Sequence, residues 1–95
     1  MMNLTLGDSI TIPQDVLFRE LDDEAVLLNL KTGIYFGLNP VATRVWQLLV
    51  AEGSLAQVLE VMLAEYEVGR DVLEQDLLEL TRQLCTKGLI EVTPS

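Results

Sequence analysis

The sequence predicts an α+β domain with an N-terminal three-stranded antiparallel β-sheet followed by three α-helices, an outline like that of a winged helix-turn-helix. Before residue 39, apolar residues alternate with polar ones at a period of about two, as in half-buried strands. After residue 40 they recur at a period of about 3.6, as in amphipathic helices. The 95 residues contain no internal repeat and no long linker, so we expect one domain over residues 1–95.

Four short segments in the first third of the chain are typical of β-strands: Ser9–Ile12, Val16–Leu21, Ala25–Leu30 and Ile34–Leu38. Pro13 ends the first segment, because proline cannot donate a backbone hydrogen bond to a neighbouring strand. Asp22-Asp23-Glu24 forms a polar corner. Lys31-Thr32-Gly33 has the form of a three-residue hairpin loop in which Gly33 adopts a positive φ. Together the segments predict an antiparallel meander of about three strands.

The first predicted helix has clear boundaries. Asn39 is a favourable N-cap, Pro40 is a favourable first helical residue, and Gly53 ends the helix. Its apolar stripe is formed by Val41, Val45, Leu48 and Leu49, with Trp46 beside it. Ser54 and Gln57 then have the spacing of a capping box, which predicts the start of a second helix that continues to about Tyr66.

A third helix is predicted from about Asp71 to Lys87, with acidic residues near its start and a lysine at its end, as the helix dipole favours. Gly88 is a strong C-terminal stop signal. The residues that follow, Leu89–Val92, are expected to form a short extended tail that packs on the core.

The charge balance excludes several classes of function. Six basic residues stand against 15 acidic ones, giving a formal net charge of −9, and no helix carries the basic stripe that phosphate contacts require. No nucleic-acid partner is therefore expected. No apolar run is long enough for a membrane span, and no basic residue precedes an apolar block near the N-terminus. We expect a cytoplasmic protein that binds no membrane.

Catalytic and metal-binding signals are missing from the sequence. The chain has no histidine, the usual general base and metal ligand, and Cys85 is its single cysteine. We interpret Cys85 as a small, buried or half-buried side chain of the third helix. The acidic corner at Asp22-Asp23-Glu24 lacks the alternating ligands and central glycine of a calcium loop. We predict a protein that is not an enzyme and that has no catalytic residue, no metal and no cofactor.

Two features suggest a surface for a ligand. On the third helix, Leu78, Thr81 and Cys85 widen the leucine stripe, so the helix either contacts both other helices or presents one flank to an open groove. The strand Ile34–Leu38 is the last of the meander and carries no lysine, proline or charge to protect its edge. An unshielded edge of this kind can bind a peptide as an added strand.

A longer pattern resembles a known family. It includes the stretch from Glu24 to Pro40, with Leu27-Leu28-Asn29 before Lys31-Thr32-Gly33-Ile34-Tyr35-Phe36-Gly37-Leu38-Asn39-Pro40, then Trp46 and Leu49, and later Tyr66, Val68, Asp76-Leu77, Leu84 and Gly88-Leu89-Ile90. Over residues 16–92 this order and spacing resemble the PqqD-like family. Its members are recognition elements for ribosomally synthesised, post-translationally modified peptides: they bind the leader segment of a precursor peptide and present it to modifying enzymes.

The resemblance implies a site. In the family, the leader adds as a strand to the third strand of the sheet and lies against the third helix. Carried over to this chain, the strand would contribute Ile34, Tyr35, Phe36, Gly37 and Leu38. Leu77, Leu80, Thr81 and Leu84 would form the floor of the groove, and Asp76 matches an acidic position that could accept a hydrogen bond from the leader.

The resemblance also implies partners. The run from Thr32 to Pro40 is most similar to the free-standing recognition proteins of lasso peptide pathways, in which a cysteine protease removes the leader. A radical SAM enzyme of a quinone-cofactor or other modified-peptide pathway is the alternative enzyme partner. A second alternative is a winged-helix structural or self-assembly module that binds no leader. We expect a monomer or a weak dimer.

Overall fold

The computed structural model describes residues 5–22 and 24–93. The described elements are β1 (Ser9–Thr11), β2 (Val16–Leu21), β3 (Glu24–Asn29), β4 (Ile34–Leu38), α1 (Pro40–Glu52), α2 (Leu55–Glu65), α3 (Arg70–Thr86) and β5 (Glu91–Thr93). An α+β fold with three helices and a three-stranded antiparallel sheet is thus confirmed. Of the predicted acidic corner, Asp23 lies outside the described residues.

The arrangement of the strands differs from the predicted one. The three-stranded sheet has the order β2-β3-β4, and β1 is not next to it. Instead β1 pairs antiparallel with β5, with Ile10 opposite Val92, in a second sheet. Pro13 separates β1 from β2, and the amide of Ile10 donates to the carbonyl of Gly53, so β1 is held at the junction of the first two helices. The winged helix-turn-helix likeness stays a prediction.

The register of the three-stranded sheet separates an inner and an outer face. On the inner face, Phe18, Leu27 and Phe36 stand opposite one another, and Leu27 is fully buried. Successive residues of a strand point to opposite faces, so the next row along, Leu17, Leu28 and Tyr35, lies on the outer face. The inner face packs on α1.

The hairpin loop between β3 and β4 is one residue longer than predicted. It spans Leu30 to Gly33, because β3 ends at Asn29. The Asn29 side chain accepts hydrogen bonds from the amides of Lys31 and Thr32. These bonds start the turn at Asn29, so Leu30 already belongs to the loop. Gly33 has the predicted positive φ, 77°.

The helix caps follow the sequence signals at α1 but not at α2. Asn39 caps α1 by accepting from the amide of Ala42 at 2.8 Å, and Gly53 closes the helix with φ 66°. The capping box predicted at Ser54 is not formed. Ser54 instead forms a β-bridge with Ser9 of β1. The amide of Ala56, which a capping side chain would usually bind, donates to the carbonyl of Leu6.

The core lies between the inner face of the sheet and the three helices. Trp46 of α1 is 3% exposed and stacks on Phe18 of β2, with ring centroids 6.4 Å apart. Arg44 of α1 forms a bidentate ion pair with Glu65 of α2, which lowers the pKa of the Glu65 carboxyl. Because this pair is exposed, its contribution to stability is small. No helix in the described part of the chain is both long and apolar enough to cross a membrane.

Trp46→Ala is expected to lower the free energy of unfolding by about 3–5 kcal/mol, since it removes a large buried side chain and leaves a cavity against Phe18. Urea unfolding followed by circular dichroism measures the change. Val50→Ala, at an exposed position of the same helix, should change stability by less than about 0.5 kcal/mol. If Trp46→Ala does not fold, Trp46→Phe should give a smaller loss, and equal stability of Trp46→Phe and wild type would contradict the packing described here.

Candidate functional site

One edge of the three-stranded sheet is free. Within the described residues, β4 pairs with β3 on one side and with no strand on the other. The opposite outer strand, β2, carries the charged side chains Arg19 and Glu20, whereas β4 carries none. Charged side chains protect edge strands from pairing with other chains. The β4 edge therefore has unpaired backbone donors and acceptors without this protection.

Helix α3 runs beside this edge. In the middle of β4, the centroid of the Phe36 ring lies 6.0 Å from the Lys87 ammonium, just after α3. Beyond the end of the strand, Asn39 and Val41, which follow β4 directly, share a cavity with Asp76 and Leu80 of α3. The middle of the strand and the turn that follows it thus lie by the same helix, which runs antiparallel to β4. We call the space between β4 and α3 the β4–α3 groove.

The groove widens into a cavity of about 380 Å³ where the three helices meet. The cavity is lined by Asn39, Val41, Ala42, Val45, Met62, Leu73, Asp76, Leu77 and Leu80. Seven of these nine are apolar, and the polar ones are the Asn39 amide and the Asp76 carboxylate. A concave apolar site with a few polar groups is typical of ligand pockets.

The flank of α3 that faces the groove follows from helix geometry. At about 100° per residue, Asp76, Leu80 and Lys87 fall on one stripe, and each of them lies by the cavity or by Phe36. Leu78 and Cys85 fall on the opposite side of the helix. Leu78 and Cys85, which widen the apolar arc in the sequence, therefore pack against the core on the far side of the helix, whereas the flank with Leu80 borders the groove.

The structure divides the predicted site residues into an accessible and a buried set. Ile34, Tyr35, Gly37 and Asp76 are exposed, and Phe36 and Leu80 are half-buried. Leu38, Leu77, Thr81 and Leu84 are buried.

The buried set differs in its relation to the cavity. Leu77 lines the cavity, whereas Thr81 and Leu84 are fully buried. The Thr81 hydroxyl donates to the carbonyl of Leu77 at 2.7 Å, so its polar group is satisfied within the helix. Tyr35 lies on the outer face of the sheet, on the other side from Phe36. These two neighbouring aromatic residues therefore border different surfaces.

Sequence reasoning missed six residues of the cavity: Asn39, Val41, Ala42, Val45, Met62 and Leu73. They come from all three helices and from the turn before α1, so no local pattern joins them. Val41, which the sequence places in the apolar stripe of α1, is 45% exposed, and this exposed apolar residue in the first turn of the helix marks the cavity only once the structure is known.

Charge at the groove is concentrated on few groups. Arg44, Arg70 and Arg82 are paired with glutamates away from the groove. Within the described residues, Asp76 has no ion-pair partner. With the net charge of −9, the surface favours ligands that carry hydrogen-bond donors or positive charge.

No group of three or more potential ligand residues in the described part of the chain is arranged to hold a metal ion. Cys85 is half-buried on the side of α3 away from the groove, and burial raises the pKa of its thiol. The neighbouring Glu91 also raises it, whereas a hydrogen bond with the backbone of Val92 lowers it. The net result is a thiol that stays protonated at neutral pH.

Cys85 is expected to react slowly with thiol reagents near neutral pH and faster as the pH rises, because only the thiolate is nucleophilic. Its rate of modification should be lower in the folded protein than in urea. Since folding raises the pKa of Cys85, the protonated thiol stabilises the folded state at neutral pH. This stabilisation is lost as the pH rises through the raised pKa. Faster modification of the folded protein at pH 7 would indicate an activated thiolate and support an enzyme.

Comparisons with known proteins agree on one family. The family model described as coenzyme PQQ synthesis protein D (PqqD) matches residues 24–90. None of the curated proteins matches the chain.

Two solved structures are similar over most of the chain. TbiB1 in complex with the TbiA(beta) leader peptide has a TM-score of 0.80 and 41% sequence identity, covering 85% of this chain and 94% of that chain. A lasso peptide synthetase B1 complexed with the leader peptide has a TM-score of 0.78 and 29% identity, covering 87% of this chain and 98% of that chain. With more than two thirds of its length matched by the family model and its fold shared with these two proteins, the chain belongs to the PqqD family.

Proposed function

We propose that this protein is a non-catalytic adaptor that binds the leader segment of a ribosomally synthesised precursor peptide and presents it to a processing enzyme. The observation that carries the proposal is the unprotected β4 edge beside an apolar groove. The two similar solved structures support it, because both are complexes with leader peptides. The similarity to a lasso peptide synthetase B1 favours a lasso peptide pathway.

The proposed binding mode is strand addition. A leader segment in extended conformation pairs its backbone with the free groups of Ile34–Leu38, which gives affinity with little dependence on sequence. Alternate side chains of the added strand then point into the β4–α3 groove, next to Phe36 and Leu80. Side-chain pockets on this face provide the sequence specificity.

The helix cavity is proposed to hold one apolar anchor of the leader. Its apolar lining stabilises an aliphatic or aromatic side chain by roughly 1.5–3 kcal/mol on full burial. Asp76 lies at this cavity and is exposed, so its carboxylate can accept a hydrogen bond from a leader side chain or amide. We therefore expect the leader to carry a hydrogen-bond donor close to an apolar anchor side chain.

The proposal assigns no chemical step to this chain. Catalysis by acyl or proton transfer needs an activated nucleophile or a base of suitable pKa, and the chain has no histidine. Cys85 has a raised pKa and lies on the far side of α3 from the groove. The processing step is therefore assigned to a partner enzyme, for which a cysteine leader protease is proposed and a radical SAM enzyme is the alternative.

The outer face of the three-stranded sheet is the proposed contact surface for that enzyme. Leu17, Leu28 and Tyr35 form one row across this face, and Leu21 lies farther along β2. Tyr35 is 69% and Leu21 63% exposed, so these residues form an accessible and largely apolar surface, with the charged Arg19 between Leu17 and Leu21 on β2. It is also continuous with the β4 edge. An added leader strand would extend it, so the enzyme would contact the adaptor and the bound leader together.

Leader binding is expected to protect alternate β4 amides from hydrogen exchange, because only alternate residues of an edge strand direct their N–H groups outward. NMR titration with the leader peptides encoded beside the gene measures this protection together with the affinity. The amides of β2, on the other edge, are the internal control. If no leader protects β4, or if β4 becomes protected only with rising protein concentration, self-association replaces leader binding as the better explanation.

Leu80→Ala should weaken leader binding roughly tenfold, whereas Leu78→Ala should leave it within about twofold of wild type. Both leucines are half-buried on α3, but only Leu80 lines the cavity. The pair therefore controls for loss of stability. Equal losses of affinity in the two variants would contradict the assigned flank of the helix.

Leu17→Lys is expected to impair leader cleavage by the protease while leaving leader affinity unchanged, since a charge on the outer face opposes apolar docking. Val50→Lys, at an exposed apolar position on α1, is the matched control, and with this variant the protease should cleave the leader normally. Cleavage assays and leader titrations on the same preparations separate the two effects. Normal cleavage with Leu17→Lys would move the enzyme contact to another surface.

A further inference from the structure

A buried asparagine links the two walls of the groove. Asn29 is 6% exposed, and its side-chain Nδ2 donates to the carbonyl of Gly88 at 2.8 Å. Its Oδ1 accepts from the amides of Lys31 and Thr32 at 2.9 and 3.2 Å, and its backbone carbonyl accepts from Gly33 at 2.7 Å. One residue therefore holds the whole hairpin loop and joins it to a residue 59 positions later.

Gly88 is suited to the other side of this junction. It closes the C-terminal end of α3 with φ 73°, which favours glycine, and a Cβ at this position would lie 3.3 Å from the Asn29 Nδ2. The chain then reverses, with the amide of Leu89 donating to the carbonyl of Leu84. Helix end and hairpin are thus in close contact, and a side chain at position 88 would press on the Asn29 amide.

The junction determines where β4 lies relative to α3. Asn29 stands opposite Ile34, the first residue of β4, and Gly88 follows Lys87, which lies over Phe36. A peptide in the groove has to contact the edge of β4 and the face of α3 at the same time. If the two walls move independently, part of the binding free energy is spent on bringing them into register.

Building on the proposed function, we infer that Asn29 is a positioning residue for leader binding: its hydrogen bond to Gly88 holds β4 and α3 at the spacing that the leader requires. Asn29 does not contact the leader in this mechanism, because its side chain is buried and its hydrogen-bonding groups are occupied by the hairpin and Gly88. Its effect is on the preorganisation of the groove.

Asn29→Asp tests this role selectively. The new carboxylate at position 29 still accepts hydrogen bonds from the two loop amides, but it has no N–H group to donate to the Gly88 carbonyl. Leader affinity should fall roughly tenfold, as expected for loss of one partly buried hydrogen bond. The loss should persist at high salt, which screens any simple repulsion between the new charge and the leader.

Ile10→Val is the matched control, because it lowers stability through the core beside β1 without touching the groove. It should bind the leader as wild type does. A second readout needs no leader: the NOEs between the Phe36 ring and the Lys87 side chain should weaken in Asn29→Asp and persist in Ile10→Val.

The outcomes separate this inference from the proposed function. Suppose that wild type binds the leader, and that Asn29→Asp either binds it equally well or loses no more affinity than Ile10→Val. The positioning role of Asn29 is then overturned, whereas leader binding still stands. If wild type binds no leader, the proposed function fails, and the NOEs decide the remaining claim. Their persistence in Asn29→Asp then shows that Asn29 does not position the groove.

Discussion

Burial of the inner face of the three-stranded sheet is the constraint on which the rest of the structure depends. Phe18, Leu27 and Phe36 form one row of this face, and Trp46 of α1 covers it by stacking on Phe18. With only three strands, the sheet has a single buried face and two edges, and a helix that covers the face does not cover both edges. The unprotected edge at β4 is therefore a consequence of the small size of the sheet.

The first and last strands of the described chain pair with each other and not with the three-stranded sheet. The tail after α3 leaves the helix at Gly88 in a left-handed conformation and needs hydrogen-bond partners for its backbone. It finds them in β1, which Pro13 has separated from the meander. This second sheet packs Ile10 into the core and leaves β4 without a further neighbour. The groove thus stays open because the only other strands of the described chain pair with each other.

Local patterns predicted the elements but not their long-range pairing. The alternation in Val16–Leu21 and Ile34–Leu38 and the cap at Asn39 depend on neighbours in sequence, and the strands and α1 formed where these signals placed them. The pairing of β1 with β5 joins residues 80 or more positions apart, and no composition rule indicates it. The same limit explains the cavity, whose lining comes from three helices, and the full burial of Thr81, a polar side chain whose hydroxyl is satisfied within α3.

The alternation of β4 gives the proposed function a simple physical form. Phe36 faces the groove and Tyr35 faces outward, because successive residues of a strand point to opposite faces. A leader strand paired with β4 follows the same rule. Half of its side chains would face the groove, where they determine binding to the adaptor. The other half would join Leu17, Leu28 and Tyr35 on the outer face, where only a second protein can contact them. Recognition by the adaptor and recognition by the enzyme would then use different residues of one leader segment, so each can change without loss of the other.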